Sequence, residues 1–154
     1  MRKNFKNLIV VLLVLFSADV YAQELKTLLD VRKATVESGK SMGYKFYGYD
    51  DFTITDTDEI KKKHTIRFDS SKEVYLFVTA DGAPNPDFKV VWANGGEIVN
   101  SNSTGVKKLF ETSIKMIGSP AFRVPAGRTI VIHFGGHSSI YSQYSKYELL
   151  VFYK

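Results

Sequence analysis

The chain of 154 residues contains no cysteine, and this absence excludes several kinds of structure and chemistry. Without thiols there is no disulfide, no zinc–thiolate site, no thiol nucleophile and no lipid-modified N-terminal cysteine. The folded protein must therefore be held together by packing and hydrogen bonding alone.

Long apolar runs are also scarce, and the one at the N-terminus is short. Residues 8–16 carry no polar side chain, but a membrane-spanning helix needs about 20 apolar residues. The run follows Arg2, Lys3 and Lys6, and small residues ending at Ala22 come after it. This order is typical of a secretory signal peptide over residues 1–22. It predicts cleavage after Ala22, a periplasmic or secreted protein, and no membrane insertion after processing.

Charge of one sign is present in modest excess but is not concentrated. The formal net charge is +5, and the basic residues are scattered apart from short runs at 61–63 and 107–108. A nucleic-acid-binding face needs a clustered basic stripe. The sequence therefore predicts no nucleic-acid partner, and the lysines of both runs are interpreted as solvated.

One helix is predicted over residues 24–38, within an N-terminal segment of residues 23–42. The side chains that share one side at helical spacing are Leu25, Leu28, Leu29, Arg32 and Val36. Gly39 is expected to end the helix, because glycine favours the position just beyond a helix. The apolar stripe predicts either a cap on a sheet or a loosely held N-terminal element.

Residues 43–154 predict an all-β domain, an antiparallel β-sandwich of eight or nine short strands. Polar and apolar residues alternate in most segments, and turn signals such as 94–96 separate them. Two segments, 74–80 and 146–153, are apolar on both faces, which is typical of central strands. The remaining strands are predicted at 44–49, 64–68, 88–92, 97–99, 107–117, 122–124 and 128–134.

Four stretches of this domain carry a family resemblance. They are Glu73-Val74-Tyr75-Leu76-Phe77-Val78, Pro86-Asp87-Phe88-Lys89-Val90-Val91, Val124-Pro125-Ala126-Gly127-Arg128-Thr129-Ile130-Val131-Ile132 and Ser145-Lys146-Tyr147-Glu148-Leu149-Leu150-Val151. Together they resemble the bacterial pre-peptidase C-terminal domain family over roughly residues 61–153. Phe88 departs from the family's leucine, and Thr129-Ile130 stands where tyrosine is common. The resemblance implies a jelly-roll-like sandwich with a non-catalytic, accessory role.

A loop with several oxygen donors is the candidate metal site. Asp81, Asn85 and Asp87 lie close together in sequence, and calcium binds six to eight oxygen ligands. These residues are therefore the candidate ligands of a structural calcium ion, and turn stabilisation is the alternative. His133 and His137 have metal-like spacing, but zinc needs further ligands, so two solvent-facing histidines are favoured.

Tyrosines provide the candidate ligand-binding residues. Tyr141 and Tyr144 lie in a polar loop, and tyrosine offers an apolar ring face with a hydroxyl at its edge. That combination suits a sugar ring or a partner protein. Tyr44, Phe46 and Tyr147 are instead expected in the core, because large aromatic side chains are usually well buried.

The sequence favours an exported, non-catalytic binding or accessory module of the cell envelope or secreted fraction. Its ligand would be a glycan or an envelope protein, and no cofactor other than calcium is expected. One alternative is a structural envelope protein that docks through its N-terminal helix. Another is a secreted hydrolase, which would need at least two of the following residues to converge in one cleft: His133, His137, Asp81, Asp87 and Glu148.

Overall fold

A computed structural model describes residues 27–54, 61–81, 85–109, 114–136 and 145–154. Over these residues the chain forms one helix and ten strands. They are α1 (Leu28–Ser41), β1 (Lys45–Ile54), β2 (Lys61–Arg67), β3 (Lys72–Asp81), β4 (Pro86–Trp92), β5 (Glu97–Asn100), β6 (Lys107–Leu109), β7 (Ile114–Gly118), β8 (Phe122–Val124), β9 (Thr129–Gly136) and β10 (Ser145–Tyr153). The all-β class with a preceding helix is confirmed. The predicted signal peptide lies outside the described residues.

Two antiparallel sheets form the sandwich. Sheet A has the strand order β1-β10-β3-β7-β6, with β8 also paired to β3, and sheet B has the order β2-β9-β4-β5. The chain crosses between the sheets from β1 to β2, β2 to β3 and β3 to β4, and again from β5 to β6, β8 to β9 and β9 to β10. This alternation winds both sheets together as a jelly roll.

The main core lies between the inner faces of the two sheets. On β9, Ile130, Ile132 and Phe134 are fully buried, while Val131 and His133 point to the other side and are only partly buried. This alternation follows from the two-residue period of a strand. It confirms the predicted inward face of β9 and the outward position of His133.

Strands β3 and β10 bury both of their faces. Val74, Leu76 and Val78 belong to the core between the sheets, whereas Tyr75 and Phe77 belong to a second cluster beneath α1. Strand β10 repeats the pattern with inward-facing and outward-facing apolar side chains. The prediction that these two strands are central is confirmed, because they lie side by side within sheet A.

The helix α1 covers part of the outer face of sheet A. Thr27 caps it, since its Oγ1 accepts a hydrogen bond from the Asp30 backbone N–H at 3.2 Å. The expected end at Gly39 is wrong, because the helix continues to Ser41. Gly39 instead serves close packing: a Cβ at this position would lie 2.6 Å from Cε1 of Phe152.

The buried side of α1 also differs from the predicted stripe. Leu29 is 46 % exposed, although the spacing placed it with the apolar residues. The buried side chains are Leu28, Val31, Thr35 and Ser38. Thr35 fits because its hydroxyl donates to the Val31 carbonyl oxygen at 2.7 Å. Small polar residues thus complete a face that hydrophobic spacing alone did not identify.

Some strand boundaries differ from the predicted ones. Strand β1 continues to Ile54, beyond the predicted end at residue 49. The segment predicted as one strand over 107–117 contains two, β6 and β7, and residues 110–113 lie outside the described part. The predicted turn at 94–96 joins β4 to β5, and Gly95 adopts a φ of +98° there, which favours glycine.

The contact between Gly39 and Phe152 makes a testable prediction. A methyl group at Gly39 would push against a ring that is fully buried and stacked on Tyr75. Overpacking costs about 1–3 kcal/mol, and the higher helix propensity of alanine offsets about 1 kcal/mol. Gly39→Ala should therefore lower the free energy of unfolding, measured in urea.

Gly48→Ala is the control, since no atom lies within 4 Å of its Cβ position. That variant should be as stable as the unmodified protein or slightly more stable. A Gly39→Ala variant of unchanged stability would contradict the proposed close packing.

Candidate functional site

The predicted calcium ligands lie at the end of β3 and around the start of β4. Asp81 is exposed at the end of β3 in sheet A, whereas Asp87 is buried in β4 of sheet B. Asn85 is exposed just before β4. In the part of the chain that the structure describes, no group of three or more His, Cys, Asp and Glu side chains could hold a metal ion. The calcium ion stays a prediction, and Tyr141 and Tyr144 lie outside the described residues.

Asp87 is held by protein groups. Its Oδ2 lies 2.5 Å from Nζ of Lys61, and its Oδ1 accepts a hydrogen bond from the Ser101 hydroxyl. The same hydroxyl accepts a hydrogen bond from the Phe88 backbone N–H at 2.7 Å. Asp87 therefore links the edge strand β2 and the residue after β5 to β4.

A second polar group joins the edges of the two sheets. Asp50 of β1 accepts a hydrogen bond from Nζ of Lys62 at 2.5 Å, and its other oxygen lies 2.9 Å from Nδ1 of His64. Burial alone would raise the pKa of Asp50, but the hydrogen bonds from Lys62 and His64, together with their charges, lower it below its usual value. Asp50 is therefore ionised at neutral pH and ties β1 to β2.

The outer face of sheet B carries a group of neighbouring basic side chains. Lys63 of β2 lies directly opposite His133 of β9, which lies directly opposite Lys89 of β4. Lys61 and Arg67 are on the same side of β2, since residues two apart share a face. We call these five residues the basic face: Lys61, Lys63, Arg67, Lys89 and His133. Of them, Lys63, Arg67 and Lys89 are exposed.

The charges of the basic face affect the pKa of His133. Partial burial lowers the pKa of its imidazole below the ordinary 6.5, and the charges of Lys63, Lys89 and Lys61 lower it further. The imidazole is therefore neutral at pH 7. The contributions of Lys63, Lys89 and Lys61 to this lowering correspond to a positive potential at the imidazole.

Acidic residues compensate only part of this charge. Lys61 pairs with Asp87, and Lys89 pairs with Glu97 at 3.1 Å. Hydrogen bonds from Lys89 and Asn100 lower the pKa of Glu97, which is thus ionised. Lys63 and Arg67 form no ion pair among the described residues.

The predicted hydrolase residues are distributed over both sides of the sandwich. Asp87 and His133 share the outer face of sheet B, whereas Glu148 is buried on the outer face of sheet A. Burial raises the pKa of Glu148, although Arg32 at 3.8 Å and Lys146 act in the opposite direction. The sandwich core separates Glu148 from the other two residues. His137 lies outside the described residues.

The aromatic residues are mostly structural. Tyr44 and Tyr147 are buried and Phe46 is partly buried, as predicted. Tyr47 and Tyr49 are 46 % and 51 % exposed, and the sequence analysis did not single them out as ligand-binding residues. The Arg32 guanidinium lies 3.7 Å from the centre of the Tyr49 ring and covers one of its faces.

No family model matches the chain, and a comparison with curated proteins finds no significant match. The resemblance to the pre-peptidase C-terminal domain family stays a prediction. None of the helical residues that the structure describes forms a segment long and apolar enough to cross a membrane.

The sequence analysis did not identify the basic face. It treated residues 61–63 as solvated lysines, but Lys61 pairs with Asp87 and Lys62 with Asp50. The alternation of side chains along a strand was the available signal. Lys63 lies three residues before inward-facing Ile66, and His133 follows inward-facing Ile132, so both are expected on the outer face. This alternation assigns each residue to a face of its strand, but which residues become neighbours on adjacent strands depends on the strand order.

The contacts of Asp87 predict a structural role that can be measured. Asp87→Ala removes the carboxylate that pairs with Lys61 and leaves the buried Ser101 hydroxyl only the Phe88 carbonyl oxygen, at 3.0 Å, as an acceptor. The free energy of unfolding should fall by about 1–3 kcal/mol, both with calcium and with a chelator. Asp81→Ala, at an exposed position, is the control and should change stability by less than about 0.5 kcal/mol. If the unmodified protein is stabilised by calcium and both variants lose that effect, the calcium prediction is correct instead.

The pKa of Asp50 predicts a pH dependence of stability. Because the folded-state pKa is lowered, ionised Asp50 stabilises the fold above its ordinary pKa of 3.8, and this stabilisation is lost as the pH falls through the folded-state value. Asp50→Asn should cost up to about 1 kcal/mol at neutral pH. In urea unfolding at a series of pH values, the difference from the unmodified protein should vanish in strong acid. A difference that does not change with pH would contradict an ionic role.

Proposed function

We propose that the protein is a non-catalytic binding or accessory module of the bacterial cell envelope or secreted fraction. We further propose that it contacts its ligand, a glycan or an envelope protein, with the basic face of sheet B. The observation that carries this proposal is the direct neighbourhood of Lys63, His133 and Lys89 across three strands of an exposed sheet face.

The two outer faces of the sandwich differ in their availability. Helix α1 packs on sheet A through Leu28 and Val31, so its apolar side is engaged within the molecule. Docking through the helix would need this apolar side to be exposed, whereas it already contacts sheet A. On sheet B, Lys63, Thr65, Arg67 and Lys89 are exposed, and the outer face of this sheet is the better candidate for a partner.

The charge pattern of this face supports binding more than folding. Lys63 and Lys89 stand at the same level on either side of β9, where their charges repel each other. Partial burial is the largest cause of the lowered pKa of His133, and these charges lower it further. Proteins depart from locally favourable choices mainly at functional positions. Export, which defines the compartment of the ligand, rests on the predicted signal peptide over residues 1–22.

Ligand titration followed by NMR tests this proposal. Amide signals of the 15N-labelled protein would be recorded with neutral glycans, acidic glycans and an envelope protein extract. We expect at least one of them to shift signals on β2, β9 and β4 and to leave those of α1 and β10 unchanged, because binding perturbs the contacted strands most. Shifts restricted to α1 and sheet A would contradict the proposal, as would the absence of any shift. Shifts restricted to Tyr141 and Tyr144 would favour the predicted tyrosine site instead.

A further inference from the structure

We propose that the ligand of the basic face is an acidic polysaccharide whose carboxylates bind Lys63 and Lys89 on either side of His133. This inference rests on the proposed function and specifies its ligand.

The cations are arranged for an extended polymer. Lys63 and Lys89 are separated by β9, so their backbones lie about 10 Å apart at the usual strand spacing. Along β2, Lys61 and Lys63 are about 7 Å apart and Lys63 and Arg67 about 13 Å apart, as expected for alternate and fourth residues of a strand. A small anion would reach one or two of these groups, whereas a polymer with regularly spaced charges would reach several.

The side chains between the cations favour a sugar over a nucleic acid or a protein. Single-stranded nucleic acids are bound by exposed aromatic rings, and duplexes by elements that enter a groove. A protein interface has an aromatic and apolar centre that is poor in lysine. Among the described residues, the outer face of sheet B exposes no large aromatic side chain. It offers Thr65 and His133, whose polar groups suit sugar hydroxyls.

His133 adds a proton-linked contribution to this site. The groups that face its imidazole are Lys61 and Lys63 from β2, and Lys89 and Asp87 from β4. A bound carboxylate would offset the lysine charges and raise the pKa of the imidazole toward its ordinary value. Binding would thus take up a proton, so affinity should increase as the pH falls from about 8 to about 5.

Glu97 competes with the ligand for one of the lysines. Its carboxylate lies 3.1 Å from Nζ of Lys89, and both side chains are about half exposed. A ligand carboxylate must share or displace this contact. Glu97→Gln removes the competing charge and should strengthen binding of an acidic polymer, whereas a neutral polymer should be unaffected.

Polygalacturonate and its methyl ester are the probes, because they share a backbone and differ in charge. Dissociation constants would be measured by calorimetry at low salt for the unmodified protein and four variants. Lys63→Gln with Lys89→Gln should weaken binding of polygalacturonate about tenfold or more, since two charge-assisted contacts are lost. Lys33→Gln with Lys107→Gln removes the same charge from exposed positions of α1 and β6 and should change the affinity less than about twofold. Glu97→Gln should tighten binding, and His133→Asn should abolish its pH dependence.

Five outcomes would overturn the inference, and they differ in what they mean for the proposed function. Equal affinity for the methyl ester would leave the binding module in place but remove the acidic ligand. Equal weakening by both lysine pairs would show only the effect of net charge. Tighter binding of single-stranded DNA than of polygalacturonate at the same salt would replace the polysaccharide. If the Lys63→Gln, Lys89→Gln variant bound polygalacturonate unchanged but self-associated, the role of Lys63 would be to protect the edge strand β2. Failure of every ligand in both calorimetry and the NMR titration would remove the proposed function as well.

Discussion

The two-sided burial of β3 and β10 is the constraint on which the rest of this structure depends. Their inner side chains fill the space between the sheets, and their outer side chains, including Tyr75 and Phe152, need a second cover. Burial of a large apolar side chain contributes about 1.5–3 kcal/mol, so an uncovered outer face would be costly. The helix α1 supplies this cover, and in a cysteine-free chain no disulfide could replace it.

This constraint also makes the two outer faces unequal. Because α1 is committed to sheet A, the outer face of sheet B can carry charge. The acidic residues near that face have structural contacts: Asp87 connects three elements, and Asp50 joins the edges of the two sheets. They hold the edge strand β2 in place through Lys61 and Lys62. Lys63, which follows these two lysines on β2, is exposed to solvent.

The fold was largely predictable from sequence, and the reason is the two-residue period of strands. Apolar residues on both sides of 74–80 identified a central strand, and Ile130, Ile132 and Phe134 identified an inward face. The helix face was harder, because small polar residues complete it: Thr35 and Ser38 are buried, and the Thr35 hydroxyl is satisfied by the Val31 carbonyl oxygen. The predicted helix end at Gly39 was wrong for a related reason. The absence of a side chain at Gly39 makes room for Phe152, which lies more than one hundred residues away in the sequence.

The site was not predictable from sequence, because it depends on strand order. Lys63, His133 and Lys89 become neighbours only when β9 is placed between β2 and β4. Local sequence cannot specify that order. Asp81 and Asp87 belong to one predicted loop, yet the strands β3 and β4 that carry them lie in different sheets.

The separation of the two apolar clusters gives the protein two distinct spectroscopic reporters. Trp92 is the sole tryptophan and packs against the cluster between the sheets, with the Arg128 guanidinium 5.1 Å from its ring centre. Tyr44 and Tyr75 lie in the cluster under α1, with ring centres 4.6 Å apart. Tryptophan emission therefore follows the sandwich, while the near-ultraviolet dichroism of these packed tyrosines follows the docking of α1. A state in which the helix has detached from an intact jelly roll would keep the first signal and lose the second, and could be detected without any label.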